Sequence, residues 1–223
     1  MTLARTVAAE TLGTGLLLAV VVGSGIMGER LAGGTAALAL AANAAATGAC
    51  LFVLIRLFAP VSGAHFNPVV TLIAWRKGVL KGATAAAYLL AQTLGALAGV
   101  AIAHLMFGLA VFAPSVTVRS GPAQWLSELV ATFGLVLTIE AAVRQRDASL
   151  ALLVAAYIAA AYWFTASTAF ANPAVTLARS LTPTFSGIQP VDVAGFVAAQ
   201  LVGGAAAFAL SQWLFSPARE IAV

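Results

Sequence analysis

Charge is scarce in this 223-residue chain: 11 Lys plus Arg and 7 Asp plus Glu make up 8% of it, against 62% hydrophobic residues. Together with a mean hydropathy of +1.02, that scarcity excludes an ordinary water-soluble domain, in which about a quarter of the residues are charged. The chain is an integral membrane protein. A hydrocarbon core about 30 Å thick needs roughly 20 apolar residues per helical span, so six spans take about 120 residues and leave about 100 for connections and partly inserted segments. A large soluble domain is excluded. Cysteine is nearly absent as well: Cys50 is alone, so no intrachain disulfide can form, and within its apolar stretch it reads as a small packing residue. The net charge of +4 is spread too thinly for a nucleic-acid footprint. Metal-ligand clusters, phosphate loops and cofactor fingerprints are missing, so neither metal nor cofactor is expected.

What is present is six apolar stretches of spanning length, at residues 6–27, 35–58, 82–107, 124–143, 149–168 and 193–215. The first follows Arg5 and continues at helix length, which reads as an uncleaved span and not a signal peptide. Cations set the orientation. With the N-terminus inside, Arg5, Arg56, Arg76, Lys77, Lys81, Arg144, Arg146 and Arg219 fall on the cytoplasmic side, and Arg30, Arg119 and Arg179 fall outside. Both termini are therefore expected in the cytoplasm. Trp75, Trp125, Trp163 and Trp213 lie near segment ends, as interfacial aromatics do.

Two shorter segments, 61–80 and 169–190, cannot cross and return as full helices, and each holds an Asn-Pro pair. Residues 62–72 read SGAHFNPVVTL, and 105 positions later STAFANPAVTL follows. Glu10 and Thr14 in the first span correspond to Glu128 and Thr132 in the fourth, and Gln92 corresponds to Gln200. Each half, 1–115 and 120–223, thus has three spans plus one re-entrant segment. An odd number of spans per half turns the halves upside down relative to one another. The two Asn-Pro segments then enter from opposite faces.

An Asn-Pro pair is a helix start, because Asn caps a backbone N–H and Pro at the first helical position loses no hydrogen bond. Irregular backbone at membrane depth is tolerated only beside protein or a water-filled cavity, so a lumen is implied. Two half-helices meeting at their N-termini aim two partial positive charges at one point, and the Asn67 and Asn172 amides can donate to a passing oxygen. That arrangement filters for neutral, hydrogen-bonding solutes and against cations and protons.

On these residues the chain resembles the aquaporin and aquaglyceroporin channels over essentially its whole length. The resemblance rests on Asn67-Pro68-Val69, Asn172-Pro173-Ala174, the flanking SGAHFNP, and Glu10, Gln92, Glu128 and Gln200. It implies an all-α membrane fold of six transmembrane helices and two re-entrant half-helices, forming one channel domain over 1–223. It also implies a homotetramer in the lipid bilayer, and a bacterial inner membrane is the expected location. Val69 stands where the family usually has Ala, and Val175 stands where water-selective members carry a filter Arg. By the same resemblance the narrowest ring comprises Thr47, Ala160, Ala169 and Val175, a set without bulk or fixed charge. The implied function is a wide channel for glycerol, urea and similar small uncharged solutes. The stretch NPAVTLARSLT also looks like bacterial aquaglyceroporins associated with arsenic resistance, which extends the implied permeants to neutral arsenous acid and methylated arsenicals.

Arg179, one helical turn beyond Val175, has two readings: a cation in the outer vestibule, or a cap on the half-helix C-terminus that bonds loop carbonyls. Glu10 and Glu128 are intramembrane carboxylates, which often mark proton relays. Their repeat-related positions and the resemblance favour holding re-entrant backbone N–H groups. His65 is a pore candidate, and His104 near a span end is expected at the interface. Small residues at Gly95, Gly99, Gly195, Ala199, Gly203 and Ala207 allow close helix approach. The alternatives are a water-selective aquaporin, a coupled transporter with broken helices, and, on weak grounds, a serine hydrolase using Ser62 and His104.

Overall fold

The computed structural model of the protein describes residues 1–215, and Arg219 of the expected cytoplasmic set lies outside them. The described residues form eight α-helices: α1 (Leu3–Leu31), α2 (Ala36–Ser62), α3 (Pro68–Arg76), α4 (Gly82–Met106), α5 (Pro122–Gln145), α6 (Leu150–Phe164), α7 (Pro173–Arg179) and α8 (Val193–Leu214), the last entered through a 3-10 turn at Pro190–Asp192. Helices α1, α2, α4, α5 and α8 are long and apolar enough to cross a membrane. Helix α6 is apolar but has 15 residues, about 22 Å of rise.

That length departs from the expected span at 149–168. The chain leaves the helix after Phe164 and runs non-helically through 165–171, where a carboxylate described below takes over the backbone. The other spans match their expected positions with longer ends. Helix α2 reaches Ser62 despite Pro60 in its last turn, then stops at Gly63, whose φ of +89° an L side chain rarely adopts.

Six crossings return the chain to the face it started from, here the terminal face. Helix α3 points its C-terminus at that face, and α7 points at the opposite one. Each half closes on glycine: a Cβ on Gly95 would strike the Thr11 carbonyl, and one on Gly203 would strike the Leu129 carbonyl. Gly99 makes the same approach to Gly15. These stripes thus pack α4 on α1 and α8 on α5 within one chain. Leu18, Val22, Ala96 and Val100 fill the core between α1 and α4. Cys50 is half-buried against that core. The four tryptophans stay exposed near helix ends.

Candidate functional site

The re-entrant loops are strained in matching places. Ala64 and Phe66 in the first loop, and Thr168, Ala169 and Ala171 in the second, all have φ between +48° and +63°. Left-handed backbone costs a non-glycine residue about 1 kcal/mol or more, and polar backbone inside a membrane protein needs partners. Two buried carboxylates provide them. Glu10 accepts from His65 N at 3.0 Å and Phe66 N at 2.8 Å, and also from Ser62 Oγ at 2.6 Å and Gln92 Nε2 at 2.8 Å. Glu128 accepts from Phe170 N at 2.9 Å, Ala171 N at 2.8 Å and Gln200 Nε2 at 2.6 Å. Each glutamine passes a further bond to a half-helix threonine, Gln92 to Thr71 and Gln200 to Thr176, both at 2.8 Å.

The two boxes then meet. Asn67 caps α3 by accepting from Val69 N, and Asn172 caps α7 by accepting from Ala174 N and Val175 N. Each amide nitrogen reaches across the halves, Asn67 Nδ2 to Ala171 O and Asn172 Nδ2 to Phe66 O, both at 2.7 Å. Each amide nitrogen has two N–H donors, and that exchange uses one of them.

Around the boxes lies a cavity of about 240 Å³. Its lining runs from Lys77 and Glu140 at the terminal face, past His65, Asn67 and Asn172, to Thr47, Ala169, Val175 and Arg179 toward the opposite face. His65 bonds Thr71 through Nδ1 at 3.1 Å. Ala160 is not in the lining. It is exposed on α6, and Tyr162 faces the cavity instead, its hydroxyl 3.2 Å from Thr47 Oγ1. Two residues turn a helix by about 200°, so Ala160 and Tyr162 stand on nearly opposite faces of α6 and the resemblance-based assignment of Ala160 is corrected. Thr47, Tyr162, Ala169 and Val175 all line the cavity.

A family model described as "Major intrinsic protein" matches residues 1–164. The chain belongs to the major intrinsic protein family. Among relatives of this major intrinsic protein is aquaglyceroporin AqpS of Rhizobium meliloti (strain 1021), 58% identical over 219 residues, 98% of this chain and 94% of that one. Aquaporin TIP1-1 of Zea mays is 33% identical over 205 residues, 86% of this chain and 80% of its own length. The X-ray structure of the aquaglyceroporin from Plasmodium falciparum has the same fold, with a TM-score of 0.76 over 97% of this chain and 98% of that one at 18% identity.

Several residues of this major intrinsic protein carry roles that sequence reading missed. Phe170 packs on Ile188 and Phe196, with the Arg119 and Arg179 guanidiniums against its ring at 5.0 and 3.3 Å from the centroid. Arg119 Nε donates to Gly187 O at 2.7 Å and Nη1 to Ser167 O at 3.0 Å. Burial draws the Arg119 pKa below the ordinary arginine value while Glu128 opposes the shift, and a guanidinium stays charged regardless. Arg179 Nε bonds the Ser186 loop carbonyl, and the side chain lines the cavity. At the terminal face Lys77 Nζ bridges Glu140 at 2.8 Å.

His104 corrects another expectation. It is buried, bonded to Ala110 O at 2.6 Å and Thr182 Oγ1 at 2.7 Å, and ties the end of α4 to the loop after α7. Ser62 ends α2 at the terminal face and bonds Glu10, whereas His104 sits near the opposite face. The two cannot act as nucleophile and base.

Proposed function

We propose that this chain is a passive channel for small uncharged solutes, with glycerol and urea as the reference permeants and neutral arsenous acid or methylated arsenicals as further members of the class. One observation carries the reading: the position directly after the second box is Val175, so the ring of Thr47, Tyr162, Ala169 and Val175 presents hydroxyls and apolar surface without a fixed charge. The name of the 58% identical relative, an aquaglyceroporin, agrees with it. Cations and protons are refused where the positive ends of α3 and α7 converge on Asn67 and Asn172. Glu10, Glu128, Gln92 and Gln200 act as loop supports, since each carboxylate accepts from loop backbone N–H groups and from one glutamine Nε2. We read 1–115 and 120–223 as the inverted halves of one domain, the terminal face as cytoplasmic, and the assembly as a homotetramer in a bacterial inner membrane.

Stopped-flow light scattering on proteoliposomes facing a glycerol gradient tests the reading. Rapid shrinkage followed by rapid re-swelling, absent with a non-permeant sugar, is the expected result. Shrinkage alone would make this a water-selective aquaporin, and uptake that saturates and follows an ion gradient would make it a coupled transporter.

A further inference from the structure

Arg179 is 2% exposed, yet among the described residues its guanidinium makes a single hydrogen bond, from Nε to Ser186 O. The ion pairs among those residues belong to Lys77, Arg144 and Glu140, so Arg179 has no carboxylate partner. Removing a cation from water without such a partner is costly. The surroundings offset part of that cost through the Phe170 ring, the Ser186 carbonyl and the C-terminal end of α7, where a cation is favoured. The two terminal nitrogens are left without protein partners on a side chain that lines the cavity. Nearby, Arg119 adds a second positive charge against the same ring. The acidic residues closest in the fold are already engaged: Glu128 holds Phe170 N and Ala171 N, and Asp192 accepts Arg119 N at 2.7 Å.

We infer that the mouth at the opposite face is a binding site for small monovalent oxyanions, carboxylates or oxyacid conjugate bases, docked on the two free Nη groups of Arg179 and favoured by the charge of Arg119. The planar guanidinium fork matches a pair of anionic oxygens, whereas a polyol offers neutral oxygens that gain less. The half-helix N-termini beyond the ring do not repel an anion. The site would therefore concentrate oxyanions at the channel mouth and let them compete with neutral solutes there. The inference rests on the cavity being the solute path of the proposed channel, but the binding itself does not depend on which solute crosses.

The test reads binding without flux. Purified protein in detergent is titrated with trifluoroacetate at neutral pH, and fluorine NMR line broadening is compared with empty micelles. The expected result is excess broadening that acetate competes away. It should fall at least fivefold in Arg179→Gln, two- to threefold in Arg119→Gln, and stay unchanged in Arg5→Gln, an exposed cation at the far face. Trifluoroethanol, which is neutral, should show no component that depends on Arg179. Broadening absent from the wild type, or equal in Arg179→Gln, overturns the proposal. Should Arg179→Gln fail to elute as a monodisperse species, Arg119→Gln decides, and unchanged broadening there also overturns it. Glycerol flux measured in parallel distinguishes a failed site from a failed channel reading, because binding can persist where glycerol does not cross.

Discussion

Val69 carries an isopropyl group where its counterpart in the second half, Ala174, carries a methyl, and Gly204 makes the room. A Cβ on Gly204 would run into Val69 Cγ1, with Val136 Cγ2 3.7 Å away. The departure from the usual third box residue is thus matched by a compensating small residue on α8. Gly204→Ala should lower stability by about 1–3 kcal/mol through overpacking, and adding Val69→Ala should restore most of it, as read from thermal unfolding of the solubilised protein. Equal losses in the single and double variants would show that the two sites do not touch. Beside the second box we propose Tyr162, whose hydroxyl lies 3.2 Å from Thr47 Oγ1, as the side chain that limits solute size. Tyr162→Ala should raise glycerol permeability several-fold relative to water, and Val175→Arg should lower it. Stopped-flow re-swelling rates measure both, and a Tyr162→Ala rate equal to wild type would take Tyr162 out of the filter.

The half-helices are elements too short to be stable alone, since isolated helices below about 12 residues are marginal even with good propensity. Helix α7 has 7 residues. Its stability comes from Asn172, which caps two backbone N–H groups and bonds Phe66 O in the other half. Asn172→Ala removes a cap of about 1 kcal/mol and leaves a buried carbonyl unpaired at roughly 1–3 kcal/mol. A summed loss of about 2–4 kcal/mol is expected, again in thermal unfolding, and a loss below about 0.5 kcal/mol would mean that water replaces the amide. Both boxes, both supporting carboxylates and both glutamines were legible in the sequence, because the chain states them twice in one context. The end of α6 was not. Hydropathy carries no mark at Thr165, and the turn out of the helix depends on Thr168, Ala169 and Ala171 adopting left-handed backbone while Glu128, 42 residues earlier than Phe170, accepts the freed N–H groups. The helix phase that set Tyr162 inward and Ala160 outward follows from that long-range arrangement, as does the meeting of Arg119 with Phe170.

Across the whole molecule the two halves are joined at more than one depth. At mid-height Asn67 and Asn172 each donate to a backbone carbonyl of the other half, and toward the opposite face His104 of α4 bonds Thr182 beyond α7. At the terminal face the join is electrostatic, between Lys77 at the end of α3 and Glu140 on α5. Glu140 is nearly buried with its side chain 4% exposed, while Lys77 keeps 25%, and Arg144 Nε stands back at 3.8 Å. Partial exposure of the lysine holds the worth of the pair itself to about 1 kcal/mol. Removing the lysine alone is a different matter, because it leaves a desolvated carboxylate facing only a distant guanidinium. Lys77→Met should therefore destabilise more than the double variant Lys77→Met/Glu140→Gln, by about 1–2 kcal/mol, since the second change removes the buried charge that the first one strands. Thermal unfolding of the four species in one detergent closes the cycle. If the single and double variants unfold together, Arg144 or water already neutralises Glu140, and the terminal face is held by packing of α3 on α8 and not by this ion pair.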